Sequence, residues 1–338
     1  MPRELSLAEI FQIGYYWETK ILLTAVKLDV FSSLNDAART AGDIAHCLSL
    51  DQRALTFLLN ALVALRVLVK EEGRFANTTV SRQYLVKSNK NYVGHLLLLH
   101  DMEWNYWGKL EETIRTGRSP VSRHIFETDP EMGANVLTVL NRIGRESGPN
   151  LAKRLKLKGT ERLLDVGGGM GTNAIAFCQV YPELVATVVD LPGTLAKTKN
   201  VVAEAELEDR ISLLPGDFLS GSFEGSYDMA LMSDILHYQD AETNAALVRK
   251  VYNHLVEGGR LIIKDRLLDP SGTSPAWTTA FAVHILVNTE RGRCYAGPEV
   301  MTWMSEAGFH PVIELETCAI LQGTKGRIVG AGGQWLNG

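Results

Sequence analysis

The sequence predicts an α/β fold, a parallel sheet flanked by helices and preceded by a smaller, mainly helical module. Up to about residue 155 the apolar residues recur at helical spacing. From residue 161 short apolar runs alternate with amphipathic stretches, the rhythm of strands joined by crossover helices. A glycine cluster, "VGGGMG" at 166–171, follows the first of those runs, where open α/β sheets bind ligands beyond the carboxyl ends of their strands. The 338 residues are also long enough for two separate cores. We divide the chain into a winged-helix-like module at 1–90, a helical link at 91–155 and the sheet domain at 156–338.

In the first module, "SLAEIFQIGYYWETKILLTAVKLDVF" (6–31) places Ile10, Ile13, Trp17, Ile21 and Val26 at helical spacing. One helix is expected, its apolar face covered by core or by a second copy of the chain. "TAGDIAHCL" (40–48) and "DQRALTFLLNALVALRVL" (51–68) read as two further helices, with Thr40 and Asp51 as N-caps. "VLVKEEGRFANT" (67–78) then alternates as a short hairpin around Glu72-Gly73. Helix, helix, hairpin outlines a winged helix, a shape also used to bind DNA. A groove-reading helix presents polar, basic side chains. Here Arg53 and Arg66 stand at the ends, with Leu55, Phe57, Leu58, Leu59, Leu62, Val63 and Leu65 between them. The module is therefore expected to pack against protein, in a homodimer, rather than against nucleic acid.

The link is rich in Trp, Tyr and His ("HLLLLHDMEWNYWGKL", 95–110). Beyond it "RLLDVGG" (162–168), "VATVVDLP" (185–192), "ISLLPGDF" (211–218), "YDMALMSDILH" (227–237) and "GRLIIKDRLL" (259–268) are five strands in turn. Helices are expected over 194–207 and 241–259, the second stopped by Gly258-Gly259, and again at 276–289 and 297–309. Late strands are expected around 311–317 and 326–331, then a frayed tail.

Composition narrows the function classes. Hydrophobic residues make up 46% and charged residues 22%, an ordinary soluble balance, and the net charge of −5 offers no general attraction to nucleic acid or anionic membrane. Cys47, Cys178, Cys294 and Cys318 are scattered without C-x-x-C spacing, as free thiols in a reducing cytoplasm would be. No signal peptide is read at the start, and no run reaches the ~20 apolar residues of a membrane span. A soluble, cytoplasmic protein is expected. No metal is expected either: His95 and His100, five apart, share no helical face and have no acid–histidine cluster around them.

Two ligands suit the glycines. Gly169-Met170-Gly171-Thr172-Asn173-Ala174 satisfies the G-x-G-x-x-G/A spacing of a dinucleotide site, so spacing alone does not exclude NAD. Asp190, ending strand two, serves the ribose of either ligand. Two features favour a sulfonium cofactor. Asp165 lies two residues before the first glycine, where it can face the cationic amino end of S-adenosylmethionine but would repel a pyrophosphate. "GDF" after strand three puts Asp217 and Phe218 where an adenine would lie, although the first could equally cap its loop and the second fill the core.

"LLDVGGGMG", "VVDLPG", "GDFL" and "DILHYQDAE", in this order, resemble the S-adenosylmethionine-dependent small-molecule O-methyltransferases. That family includes plant caffeate and flavonoid enzymes, acetylserotonin methyltransferase and bacterial enzymes of antibiotic biosynthesis. The resemblance covers nearly the whole chain. It implies a Rossmann-like class I methyltransferase domain behind a winged-helix dimerisation domain. It also implies cofactor contacts from Asp165, Gly167, Gly169, Asp190, Leu191, Asp217, Phe218 and Ser233, the last at a position where many members carry Lys.

Methyl transfer to oxygen requires an oriented hydroxyl and removal of its proton. His237, just after strand four, stands where the family places its catalytic histidine, and Asp265, at the end of the adjacent strand five, is the acid to orient it. Plant members add a second acid in a later "GGKERT"-like segment. Here that segment reads "RGRCYAG", with Cys294 at the acid's position, leaving the pair without one support or leaving Glu290 to supply it. The acceptor pocket is expected between the halves, lined by His100, Trp104 and Trp107 from the link and Phe281, Ile285 and Asn288 from the later helix, which suits a flat aromatic acceptor. Packing between the domains would explain each of these side chains as well. The alternatives are a C- or N-methyltransferase on the same fold, an NAD-dependent oxidoreductase, and a regulator whose catalytic half senses a ligand.

Overall fold

The computed structural model describes residues 4–121 and 128–326. The chain divides into two compact units, 1–105 and 106–338, so the stretch 91–155 is shared between them.

In the first unit, α1 (Leu7–Gly14), α2 (Trp17–Lys27) and α3 (Val30–Leu34) replace the single helix expected over 6–31. Ser6 and Glu9 form a capping box at the start of α1, and Tyr15, extended at φ −87° and ψ 109°, ends it. Asp29, left-handed at φ 61°, separates α2 from α3. The apolar spacing runs on through both breaks, so periodicity alone does not reveal them. Burial does: Ile21 and Val26 join the core of the unit, while Ile10, Ile13 and Trp17 are 55%, 74% and 60% exposed. With Leu7, Phe11, Tyr15 and Tyr16 they make an apolar surface.

The winged helix follows as β1 (Arg39–Thr40), α4 (Ala41–Leu48), α5 (Gln52–Ala64), β2 (Leu68–Glu71) and β3 (Arg74–Asn77), with sheet order β1-β3-β2, all antiparallel. Thr40 caps α4 reciprocally with Asp43, and Asp51 caps α5 by accepting the Ala54 N–H. Leu55, Leu59 and Leu62 bury against Ile44, Phe31 and Phe75, so most of the apolar face of α5 is core. Then come α6 (Thr79–Leu85) and α7 (Gly94–Trp107).

The second unit continues with α8 (Leu110–Thr116) and α9 (Pro130–Arg154), then alternates: β4 (Arg162–Val166), α10 (Thr172–Val180), β5 (Val185–Asp190), α11 (Pro192–Glu204), β6 (Ile211–Pro215) and β7 (Tyr227–Ser233). It ends with α12 (Ala241–His254), β8 (Leu255–Lys264), α13 (Ala276–Asn288), α14 (Gly297–Ala307), β9 (Phe309–Glu316) and β10 (Ile320–Lys325). The strand order is β6-β5-β4-β7-β8-β10-β9; the first five are parallel, while β10 and β9 join antiparallel. Strand order reverses between β4 and β7, which opens a crevice at their carboxyl ends.

One expectation is corrected. Helix α12 stops at His254 rather than at the glycine pair, because Leu255 is buried and pairs with Tyr227 as the first residue of β8. Gly258, at φ 76°, instead serves the irregularity where β8 shifts register against β7. Among the described residues the last strand is 320–325, paired with β8; most of the expected strand at 326–331, and the tail beyond, lie outside the described residues. Among the described residues no helix is long and apolar enough to cross a membrane.

Candidate active site

Strand β4 delivers the glycine cluster to the carboxyl edge of the sheet, and α10 begins at Thr172 directly beyond it. Gly167, Gly169 and Gly171 are all left-handed, at φ 64°, 56° and 74°, a backbone that side chains disfavour. The Gly167 and Gly168 N–H groups donate to the Val189 carbonyl at 2.9 and 3.3 Å, tying the turn to β5. A Cβ on Gly167 would come within 3.0 Å of Ile235 and 3.1 Å of Phe218, so bare backbone lies in a slot between two apolar walls. Asp190 accepts the Gly169 N–H at 2.9 Å and the Leu191 N–H at 2.7 Å. The buried hydroxyl of Thr198, on α11, donates to the Gly169 carbonyl at 2.8 Å, a brace the sequence analysis missed.

Alternation along β4 sends Leu164 and Val166 into one core and Leu163 into the other, on whose side Asp165 also lies. Asp165 is therefore fully buried behind the turn, with its carboxyl 2.8 Å from where a Cβ of Gly168 would stand. Neither oxygen has a hydrogen-bond partner among the described residues. Burial pushes its pKa up to about 7; the nearby Ala174 N–H only opposes this, and the Asp190 charge adds to it. Burial raises Asp190 as well, against the pull of the Gly169 and Leu191 N–H groups.

Asp217 caps its own loop, with one oxygen accepting the Leu219 N–H at 2.8 Å and the other the Ser220 hydroxyl at 2.7 Å, while Phe218 walls the Gly167 slot. Ser233 donates to Asp234 at 3.0 Å. Its register partner Lys264 lies 3.4 Å from the Ser233 hydroxyl and 2.6 Å from the Asp234 carboxylate. Burial alone would raise the Asp234 pKa, but the Lys264 ammonium, with Arg266 and His237, holds it below the usual carboxylate value.

Just past β7, Leu236–Tyr238 form one turn of 3₁₀ helix that carries His237. His237 Nδ1 lies 2.7 Å from Asp265 Oδ1, with 4% and 2% of the two side chains exposed. The same carboxylate accepts the Arg266 N–H at 2.7 Å and the Leu236 N–H at 2.9 Å. Ringed by N–H donors, Asp265 acts as acceptor, so Nδ1 carries the proton and Nε2 keeps its lone pair. The turn is clamped from elsewhere too. Asn244 donates to the Leu236 carbonyl at 2.9 Å, the Tyr295 hydroxyl donates to the Gln239 carbonyl, and a Cβ on Gly292 would collide with the His237 carbonyl oxygen. None of these three was singled out from the sequence; Asn244 comes from the helix that follows the turn, Gly292 and Tyr295 from more than fifty residues on. Cys294 is buried, its thiol pushed up to about 12 by burial and by the Asp265 charge. Glu290 is exposed.

Of the six residues expected to line an acceptor pocket, the structure joins two to this centre. Phe281 meets the His237 ring edge-on at 5.2 Å, and Trp107 lies 6.3 Å from His284, which stacks on Phe281 at 5.4 Å. His284 and Trp277, which stacks on Phe281 at 5.1 Å, were missed, although 277, 281, 284 and 288 form one helical stripe. Ile285 and Asn288 are buried, and Asn288 donates to the His284 carbonyl at 3.0 Å. Trp104 packs within the first unit against Tyr16 and beneath the Lys20 ammonium, and His100 is exposed on α7.

Residues 107–310 match the O-methyltransferase domain family, and residues 11–87 its dimerisation domain. The chain is 31% identical to 3-hydroxy-5-methyl-1-naphthoate 3-O-methyltransferase of Streptomyces sahachiroi, covering 86% of each sequence. It is 30% identical to L-tyrosine C(3)-methyltransferase of Streptomyces lavendulae, over 86% of this chain and 83% of that one. Human N-acetylserotonin methyltransferase, solved with S-adenosylmethionine, shares the fold at a TM-score of 0.81, with 21% identity over 97% of this chain and all of that one. The bared glycine turn, the acid that ends β5 and these matches together place the chain in the S-adenosylmethionine-dependent O-methyltransferase family.

Proposed function

We propose that the protein methylates a phenolic hydroxyl of a small aromatic molecule, with His237 as general base and Asp265 as its orienter. The observation that carries this reading is the buried 2.7 Å pair of His237 Nδ1 and Asp265 Oδ1, which leaves Nε2 as an acceptor. The glycine turn fits the cofactor. Gly167 and Gly169 would admit its backbone-hugging end, Asp190 and Leu191 would meet the ribose, and Asp217, Phe218 and Ser233 would border the adenine. Asp165, an orphan carboxyl behind the turn, supports a cationic group in front of it. When bound, S-adenosylmethionine supplies a methyl group activated by a positively charged sulfur.

His237 would take the hydroxyl proton at Nε2 while Asp265 holds the ring and stabilises the imidazolium that forms. A phenol is a weak acid, so the proton leaves as the oxygen forms its new bond rather than beforehand. Trp107, Phe281 and His284 would give a flat acceptor its walls, with Ile285 and Asn288 beneath them. The exposed apolar face of α1, together with the dimerisation-domain match, supports a homodimer.

The similarity to a tyrosine C(3)-methyltransferase favours one second reading, methylation at ring carbon with His237 positioning the acceptor. Product analysis separates the two. A methyl-labelled cofactor with a panel of phenols should give a methoxy carbon resonance; a product whose label sits on ring carbon removes the O-methyl reading.

A further inference from the structure

We propose that Arg266 anchors a carboxylate of the acceptor, so that the preferred substrates are hydroxylated aromatic acids; this rests on the methyl-transfer reading above. Arg266 follows Asp265 at the carboxyl end of β8. Its guanidinium carbon lies 4.4 Å from the Trp277 ring centroid and 5.0 Å from that of Phe281. Those two rings stack on each other at 5.1 Å with a tilt of 14°. Phe281 also touches the His237 ring edge-on. A single aromatic side chain thus bridges the proposed base and a fixed positive charge.

The chemistry of this corner points to an anion. Stacking occupies the faces of a guanidinium and leaves its N–H edge for a planar, two-oxygen partner. Among the described residues no side-chain N–H of Arg266 makes a hydrogen bond; its nearest carboxylate oxygen, on Asp234, is 4.0 Å away. Asp234 is already held by Lys264 at 2.6 Å, and Asp265 is taken by His237, Leu236 and the backbone of Arg266 itself. The Arg266 side chain is 41% exposed and Trp277 58%, so both are open to a ligand. An aromatic acceptor set beside the Trp277–Phe281–His284 stripe, hydroxyl toward His237 and carboxylate toward Arg266, uses every one of these groups.

The test measures binding to the full-length protein loaded with S-adenosylhomocysteine, using 3-hydroxybenzoate, 4-hydroxybenzoate and 3-hydroxy-1-naphthoate, each beside its methyl ester. At least one acid should bind about tenfold or more tighter than its ester, as a charge-assisted bidentate contact warrants. Arg266→Gln should collapse that ratio toward one. Arg266→Lys, which keeps the charge and loses the fork, should give an intermediate ratio, and it serves alone if the Gln variant does not fold. The proposal is overturned if no acid outbinds its ester in the wild type, or if the ratio survives both substitutions. Turnover separates this from the broader reading. Ester methylated as well as acid leaves methyl transfer standing and removes Arg266; acids that bind selectively but are never methylated remove methyl transfer and leave Arg266.

Discussion

Asp265→Asn preserves the shape of the side chain and removes its charge, which makes it the sharpest probe of how the histidine is held. The carboxylate accepts three N–H groups, from His237, Arg266 and Leu236, at 2.7, 2.7 and 2.9 Å. An amide has only one acceptor oxygen. If that oxygen turns to Leu236, the amide NH₂ faces Nδ1 and donates to it, so the imidazole proton moves to Nε2 and the base loses its lone pair. If it turns to His237, the Leu236 N–H is stranded in a site where 2% of the acid is exposed. In the first case the general-base contribution, about 10²–10⁴ in rate, should be lost; in the second the tautomer survives, but the charge that stabilises the imidazolium is gone and the rate should still fall. Losing one charge-assisted hydrogen bond should also lower stability by about 1.5–3 kcal/mol. Turnover would be followed as S-adenosylhomocysteine formation at saturating phenol, and cofactor-product affinity by calorimetry. A variant that turns over within about threefold of wild type, with affinity unchanged, would show that Asp265 does not set the tautomer.

Two further substitutions probe the surrounding frame. Asp165→Asn removes a carboxyl that burial raises from 3.8 to about 7. Below 3.8 the group is protonated in both folded and unfolded chains; above about 7 it is ionised in both, and the folded state carries the full penalty. The stability of the variant relative to wild type, from urea midpoints, should therefore rise between those pH values; a difference independent of pH would show that Asp165 is not strained by burial. Gly292→Ala places a methyl against the His237 carbonyl and 2.6 Å from the Thr289 hydroxyl. Overpacking of this kind costs about 1–3 kcal/mol, and turnover should fall further than the loss of folded protein explains. Wild-type turnover in the folded fraction would mean that the loop does not clamp the histidine.

What the sequence revealed tracks what is local. Each strand of the parallel sheet is a short apolar run of its own, and the glycine turn is contiguous, so β4 to β8 and the turn were legible. Thr40 and Asp51 act within three residues of themselves, and both cap as read. The breaks at Tyr15 and Asp29 were hidden because the apolar spacing continues across them. Strand β10, with Gln322, Gly323 and Thr324 in its middle, has little strand character of its own and exists through its pairing with β8.

The candidate site divides in the same way. His237 and Asp265 were marked by standing at the ends of adjacent strands, and the register of β7 on β8 brings them within hydrogen-bond reach. The full burial of Asp165 depends on which side of β4 it takes, and alternation counted from an approximate strand boundary does not fix that side. Asn244, Gly292 and Tyr295 reach the turn that carries His237 from 8 to 56 residues away, and no short motif marks such contacts. Trp277 and His284 share the stripe of Phe281 and could have been found by extending it one turn in each direction.

The central claim is that His237 Nε2 takes the proton of the acceptor hydroxyl. Its most direct test is His237→Gln, measured for turnover on a phenol that the wild type methylates and for S-adenosylhomocysteine affinity in the same preparation. The account predicts a fall in kcat of about 10² or more with affinity within about twofold of wild type. Turnover close to wild type would contradict it and leave His237 a buried structural histidine.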